Sequence, residues 1–164
     1  GKEQIQHVRS RLGGSGITKI LCSPMLRCLQ SCDILDLGLE VEVEDCLKEI
    51  DFGDWEKKSF EEIAADEPAL VDQWAAHPSE FVFPGGDAVS DFVARVMEIQ
   101  QAIVNTSHKK ILVISHGGVI RLLLCLFLSL PLENHLLFRV EKGKIVTLEL
   151  FDQGGVLTGF NLVK

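Results

Sequence analysis

The chain has 164 residues, of which 46% are hydrophobic and 24% charged. This composition is typical of a globular protein, and the length suits one domain of about 100–200 residues. The 16 basic and 24 acidic side chains give a net charge of −8, which argues against a nucleic-acid partner because such proteins usually carry a basic surface. A small anionic ligand remains compatible with this charge, since local geometry can outweigh the total.

Helices alternate with short apolar strands along the chain. In chain order, the patterns predict helix 2–12, strand 17–22, helix 24–37, strand 40–44, an irregular aromatic segment 46–58, a helical region 60–76 broken at Pro68, and a loop 77–86. Next come helix 87–106, strand 111–114, helix 119–129 and the strands 137–141, 145–151 and 156–162. Ser23 is predicted to cap the second helix, with Pro24 in its first position. This order predicts an α/β fold of three layers, with a mostly parallel, mixed sheet.

Some classes of protein are disfavoured by what the sequence carries. Residues 1–12 lack the apolar core of a secretory signal, and the longest apolar run, 119–132, is too short for a membrane span and contains Arg121. The five cysteines have irregular spacing, as in proteins of a reducing compartment, which predicts a cytoplasmic location. Cys28 and Cys32 share a helix face, but small buried residues are a better interpretation than metal ligands.

Arg27 lies in the opening turns of the second predicted helix. A helix N-terminus favours anions, and the arginine fork matches the geometry of phosphate. This spacing is equally compatible with a surface arginine on an ordinary helix.

His116 follows four apolar residues and precedes two glycines, so it lies at the end of a buried strand. Glycines there let the backbone approach a ligand, and the imidazole can donate to an oxyanion or accept a proton. A core histidine with its hydrogen bonds satisfied is the alternative.

Two loops are further candidates. The segment 47–56 places four carboxylates beside two aromatic rings, and a carboxyl group in an apolar loop is suited to general acid catalysis. The residue types alone do not choose among Glu49, Asp51, Asp54 and Glu56, and a solvated acidic loop is the alternative. The segment 81–87 is compatible with a lid over a substrate or with a helix entry capped by Asp87.

Taken in this order, the motifs resemble those of the histidine phosphatase superfamily, the fold shared by cofactor-dependent phosphoglycerate mutases and many small phosphatases. Ser23-Pro24 with Arg27 and Gln30 resembles the second arginine motif of the family. Glu49, followed by Gly53 and Trp55, stands where the family carries its general acid, and Ser115-His116-Gly117 resembles its second histidine motif. Within the family, the stretches 49–56, 83–87 and 138–140 are most similar to α-ribazole phosphatases of cobalamin synthesis. Lys57 departs from relatives, which commonly have glycine there.

The resemblance implies a phosphomonoester hydrolase that acts through a phosphohistidine, most similar to α-ribazole-5'-phosphate phosphatases. A broad sugar-phosphate phosphatase or a phosphoglycerate mutase-like enzyme is the alternative. The resemblance assigns phosphate binding to Arg27, His116 and Gly117, transition-state stabilisation to His116, and proton transfer to Glu49. It implies no metal and no cofactor, and its expected partner is a small phosphomonoester. From their loop positions, Phe52, Trp55 and Phe83 are expected to contact the substrate.

The family's nucleophile belongs to an Arg-His-Gly motif at the end of its first strand, which these 164 residues do not contain. His116 follows Arg27 and Glu49, as the family's second histidine does, and His7 lies within a helix. We therefore expect a single histidine phosphatase domain over 1–164 that lacks its first strand. A catalytically inactive phosphate-binding protein is the alternative if the natural chain starts here.

Overall fold

Apolar strands and amphipathic helices alternate in the computed structural model, which describes residues 1–162. The helices and strands are α1 (Lys2–Leu12), β1 (Lys19–Cys22), α2 (Leu26–Leu35), β2 (Val41–Val43), α3 (Phe60–Asp66), α4 (Pro68–Ala76), α5 (Val89–Val104), β3 (Ile111–Ile114), α6 (Gly117–Phe127), β4 (Ile145–Phe151) and β5 (Gly154–Leu162). The described residues form two units, a larger one from 1–49 and 96–162 and a smaller one from 50–95.

A parallel sheet in the order β2-β1-β3 lies at the centre of the larger unit. In its register Cys22, the last residue of β1, is opposite Val43 in β2 and Ile114 in β3. The apolar residues of β1 are buried, and so are six residues distributed around α6. Because the strands are parallel and in register, the segments that follow β1 and β3 leave the sheet at the same edge.

The last two strands form an antiparallel hairpin, β4–β5, in the same unit. Gly154 has a φ of 130°, which glycine adopts without strain, and it begins β5 directly after the turn. Among the described residues this hairpin is a separate two-stranded sheet, and β3 pairs with β1 along one edge. The expected α/β fold with a parallel sheet is confirmed, while the antiparallel portion forms its own sheet.

Aromatic rings make the core of the smaller unit. Trp55 packs against Phe81 and Phe83 with ring centroids 5.3 and 5.4 Å apart, and all three are buried. Gly53 has a φ of 54°, and a Cβ atom there would collide with the carbonyl of Pro84. The loop 50–55 therefore lies directly on the segment 84–86.

Two predicted elements need correction. Helix α2 begins at Leu26, with Met25 as its N-cap, because the Ser23 hydroxyl accepts a hydrogen bond from the Met25 amide one turn before the helix. The predicted strand 137–141 is wrong: residue 137 ends a 3-10 turn over Leu132–Leu137, and residues 138–141 are irregular. The Asn161 side chain then accepts from the Glu141 amide and donates to the Arg139 carbonyl, satisfying groups that a partner strand would otherwise bind.

The remaining helices and strands agree with prediction to within two residues at most of their ends. Pro68 begins α4, where a missing N–H costs nothing, so it separates two helices as predicted. No helix within residues 1–162 is both long enough and apolar enough to cross a bilayer.

Candidate active site

The candidate site of the larger unit lies where β1 and β3 end. Ser23 follows β1, and its amide donates to the carbonyl of Ile114, the last residue of β3. His116 follows β3 after one residue and is the N-cap of α6. The adjacent ends of the two strands thus bring the Ser23 and His116 segments together, although 93 positions separate them in sequence.

His116 is surrounded by three side chains from the segment after β1. Arg27 donates from Nε to Nδ1 of His116 at 3.0 Å. The Ser23 hydroxyl lies 2.8 Å from Nε2, and the Cys28 sulfur lies 3.5 Å from the same nitrogen. His116 is 6% exposed and Ser23 is fully buried, so most of this arrangement is protected from solvent competition.

These contacts determine the tautomer of the imidazole in this arrangement. An arginine guanidinium always carries a hydrogen on Nε, so Nδ1 of His116 must accept. The hydrogen of the neutral ring then lies on Nε2, which donates to the Ser23 hydroxyl. The ring is therefore held at both nitrogens, and Arg27 brings a positive charge to its edge.

Glu49 contacts the first turn of α6. Its Oε2 accepts a hydrogen bond from the Gly118 amide at 3.0 Å, in the first turn of the helix. The segment that carries it is held close by, because the Ser115 hydroxyl donates to the Leu47 carbonyl at 2.8 Å. The structure thus brings Arg27, Glu49 and His116 together at one helix N-terminus.

The N-terminus of α6 has the properties of an anion site. Its first amides have no partners within the helix, and the helix dipole is positive there. A Cβ atom built on Gly117 would meet no atom within 4 Å, so open space lies over this residue. Arg27 is solvent-exposed and has two terminal guanidinium nitrogens that can donate to phosphate oxygens.

Cys28 is a neighbour of His116 that sequence analysis did not assign to the site. Burial raises the pKa of its thiol, and the Arg27 charge opposes that rise. Ser23 was predicted as a helix cap and noted beside Arg27 in the second arginine motif, but it was not assigned to the site. The parallel pairing of strands 17–22 and 111–114 was the available signal, because it places the residue after the first strand beside the end of the second.

The three aromatic residues expected to contact substrate all belong to the smaller unit. Trp55 and Phe83 are core residues, 7% and 4% exposed, whereas Phe52 is 38% exposed. The Phe52 and Phe83 rings meet edge to face with centroids 5.0 Å apart. Asp87 accepts hydrogen bonds from the Asp51 amide and from Arg95, so it ties the aromatic loop to the start of α5.

Comparison with protein families identifies the family of this chain. The model of the histidine phosphatase superfamily, branch 1, matches residues 1–163. The chain belongs to this family. The match runs through the segments that carry Arg27, Glu49 and His116, so the site described above is built from residues that lie within the family domain.

Individual relatives agree with the family. The chain is 28% identical over 152 residues to an adenosylcobalamin/α-ribazole phosphatase of Escherichia coli, covering 87% of this chain and 72% of that protein. The crystal structure of the α-ribazole phosphatase from Shigella flexneri superimposes with a TM-score of 0.86 at 25% identity, covering 98% of this chain and 81% of that one. A mycobacterial glucosyl-3-phosphoglycerate phosphatase, with a TM-score of 0.79 and 22% identity over 100% of this chain and 86% of its own, shares the fold.

Proposed function

We propose that this chain carries the phosphate-binding and proton-transfer residues of a phosphomonoesterase. The observation that carries the proposal is the 3.0 Å contact of Arg27 with His116 at the N-terminus of α6. It joins a fixed cation and an imidazole at a helix N-terminus, and such groups bind a phosphoryl group and stabilise charge as it is transferred. The family match supports the same interpretation.

Each residue then has a separate role. Arg27 binds the equatorial oxygens of the phosphoryl group, and His116, with the Gly117 backbone, stabilises the charge that develops on them. Glu49 protonates the leaving alcohol and afterwards removes a proton from the attacking water. The hydrogen bond from the Gly118 amide holds the Glu49 carboxylate at the helix terminus, beside the proposed phosphoryl position.

Phosphoryl transfer through a phosphoenzyme also needs a nucleophile. The 164 residues contain no Arg-His-Gly motif, so the proposed hydrolysis requires a nucleophile from outside them. The matched region spans 72% of the E. coli relative.

The proposed substrate is α-ribazole 5'-phosphate. We propose no nucleic-acid partner. The names of the E. coli and S. flexneri relatives support this substrate. A cytoplasmic location is proposed because all five cysteines are free thiols, as expected in a reducing compartment.

A substrate panel with the complete gene product tests the proposal. The panel contains α-ribazole 5'-phosphate, 3-phosphoglycerate, phosphoserine and several sugar phosphates, and released phosphate is measured. We expect kcat/KM for α-ribazole 5'-phosphate to exceed every other value by at least about tenfold, or about 1.4 kcal/mol of transition-state binding. Equal kcat/KM values across the panel would indicate a phosphatase with a broad range of substrates. No release from any substrate, with phosphate still bound, would indicate a binding protein.

A further inference from the structure

Three cysteines surround the junction between β1 and α2. Cys22 ends β1, whereas Cys28 and Cys32 are one turn apart on α2. The sulfur atoms of Cys22 and Cys32 lie 3.1 Å apart. Because the sulfurs of a disulfide are separated by about 2.05 Å, an approach of only about 1 Å would allow a bond between these two side chains.

The two thiols differ in access and in acidity. Cys22 is fully buried, whereas Cys32 is partly exposed and can meet a dissolved reagent. The hydrogen bond between them lowers the pKa of Cys32, because the Cys22 thiol can donate to the Cys32 thiolate. The same hydrogen bond, together with burial, raises the pKa of Cys22. Since the thiolate is the reactive form, Cys32 is suited to react first and Cys22 to react second.

We propose that Cys22 and Cys32 form a dithiol modification site that a hydroperoxide converts into an intramolecular disulfide. The Cys32 thiolate attacks one peroxide oxygen, the O–O bond breaks, and the departing hydroxide takes a proton to become water. The Cys22 sulfur then attacks the resulting sulfenic sulfur, the S–S bond forms, and a second water leaves with the thiol proton. The two thiols lose two protons and two electrons in total, and one hydrogen peroxide is reduced to two waters.

The bond would close a loop over residues 22–32. This loop contains Ser23, Arg27 and Cys28, three residues whose side chains contact the His116 ring. In a reducing compartment, the location proposed above, protein disulfides are usually transient and redox-sensing, so the reduced dithiol would be the resting form there. The modification does not depend on phosphatase activity, and its test measures the bond itself.

Peptide mapping of the folded protein provides this test. The reduced chain is treated with hydrogen peroxide, remaining thiols are blocked with N-ethylmaleimide, and the protein is digested with trypsin without reduction. Cleavage after Lys19, Arg27 and Lys48 places Cys22 on peptide 20–27 and Cys32 on peptide 28–48. A second protease that cleaves peptide 28–48 at Asp33 separates Cys46 from Cys32.

We expect a cross-linked pair of peptides with a mass about 2 Da below the sum of the two free peptides, lost on treatment with dithiothreitol. Fragmentation should place the bond at Cys32 and the blocking group at Cys28 and Cys46. Cys32→Ser should abolish the cross-link, since a hydroxyl cannot form it. The matched control is Cys46→Ser. In the unsubstituted protein the Cys46 sulfur lies 3.6 Å from Glu98, and we expect its replacement to leave the cross-link unchanged.

Other products would overturn the proposal. These are blocked thiols at both Cys22 and Cys32, a bond from either one to Cys28 or Cys46, or a sulfinic acid at Cys32 without a cross-link. The mapping of the unsubstituted chain decides between these outcomes even if a variant fails to fold.

Discussion

Replacing Glu49 by glutamine separates its proposed chemical role from its structural one. Glu49 accepts the Gly118 amide hydrogen at 3.0 Å in the first turn of the eleven-residue helix α6. A glutamine oxygen can accept the same hydrogen bond, so the substitution removes the negative charge and the transferable proton but retains the contact. A purely structural Glu49 and a proton-transferring Glu49 therefore predict different results.

The structural cost of Glu49→Gln is small. Loss of a charge near a helix N-terminus costs about 0.3–1 kcal/mol. Loss of the whole charged hydrogen bond in Glu49→Ala costs about 1.5–3 kcal/mol. Loss of general acid–base catalysis lowers turnover by about 10²–10⁴-fold, equivalent to about 3–5 kcal/mol of activation free energy. The expected effect of Glu49→Gln on turnover thus exceeds its effect on stability several-fold.

Urea unfolding and phosphate release from the complete gene product measure the two quantities on the same variants. We expect Glu49→Gln to unfold within about 1 kcal/mol of the unsubstituted protein while its kcat falls at least about 100-fold and phosphate binding persists. A kcat within about threefold of the unsubstituted protein would refute the general-acid assignment. It would leave Glu49 as a cap of α6.

Three further predictions concern other parts of the chain. Arg27→Ala should weaken phosphate or vanadate binding about 10–100-fold, since a charged hydrogen bond contributes about 1.5–3 kcal/mol. Calorimetry measures this affinity, and an unchanged value would exclude Arg27 from the site. Lys57 has a φ of 66°, in the left-handed region that glycine adopts more easily. Lys57→Gly should raise the unfolding free energy by about 0.5–1 kcal/mol, because the relief of left-handed strain exceeds the cost of the added chain entropy. The control Lys57→Ala should give no gain in unfolding free energy. The amide of Ser59 donates to the Glu62 carboxylate at 2.7 Å and lowers the pKa of that group below its ordinary 4.5. Glu62→Gln should therefore lower the Tm above pH 4.5, and the difference should vanish as the pH falls through the lowered pKa; a constant difference would contradict the capping contact.

The periodicity of the sequence predicted most of the fold. Strand 111–114 has the predicted bounds because four consecutive apolar residues admit few alternatives. Local pattern failed at 137–141, where a side chain distant in sequence, Asn161, satisfies the backbone. Local sequence propensity does not predict a hydrogen bond to a side chain that lies 20 residues further along the chain. The antiparallel hairpin was predicted from its turns, but its separation from the parallel sheet depends on pairings across the whole chain.

The candidate site was predicted in part. Motif order selected Arg27, Glu49 and His116, and the structure places all three around the start of α6. The contacts of Ser23 and Cys28 with His116 depend on the register between two strands, which the sequence leaves unspecified. Lys57 was noted as a departure from relatives, and its left-handed backbone explains why glycine suits that position.

We propose that phosphate binds between Arg27, His116 and the N-terminus of α6. A titration of vanadate into the ¹⁵N-labelled chain, followed by NMR at the His116 imidazole and the Gly118 amide, tests it most directly. We expect saturable shifts of both signals, with the imidazole starting as the neutral form protonated on Nε2, and we expect both shifts to be lost in Arg27→Ala. Saturable shifts that leave His116 and Gly118 unmoved, or that persist unchanged in Arg27→Ala, would contradict it.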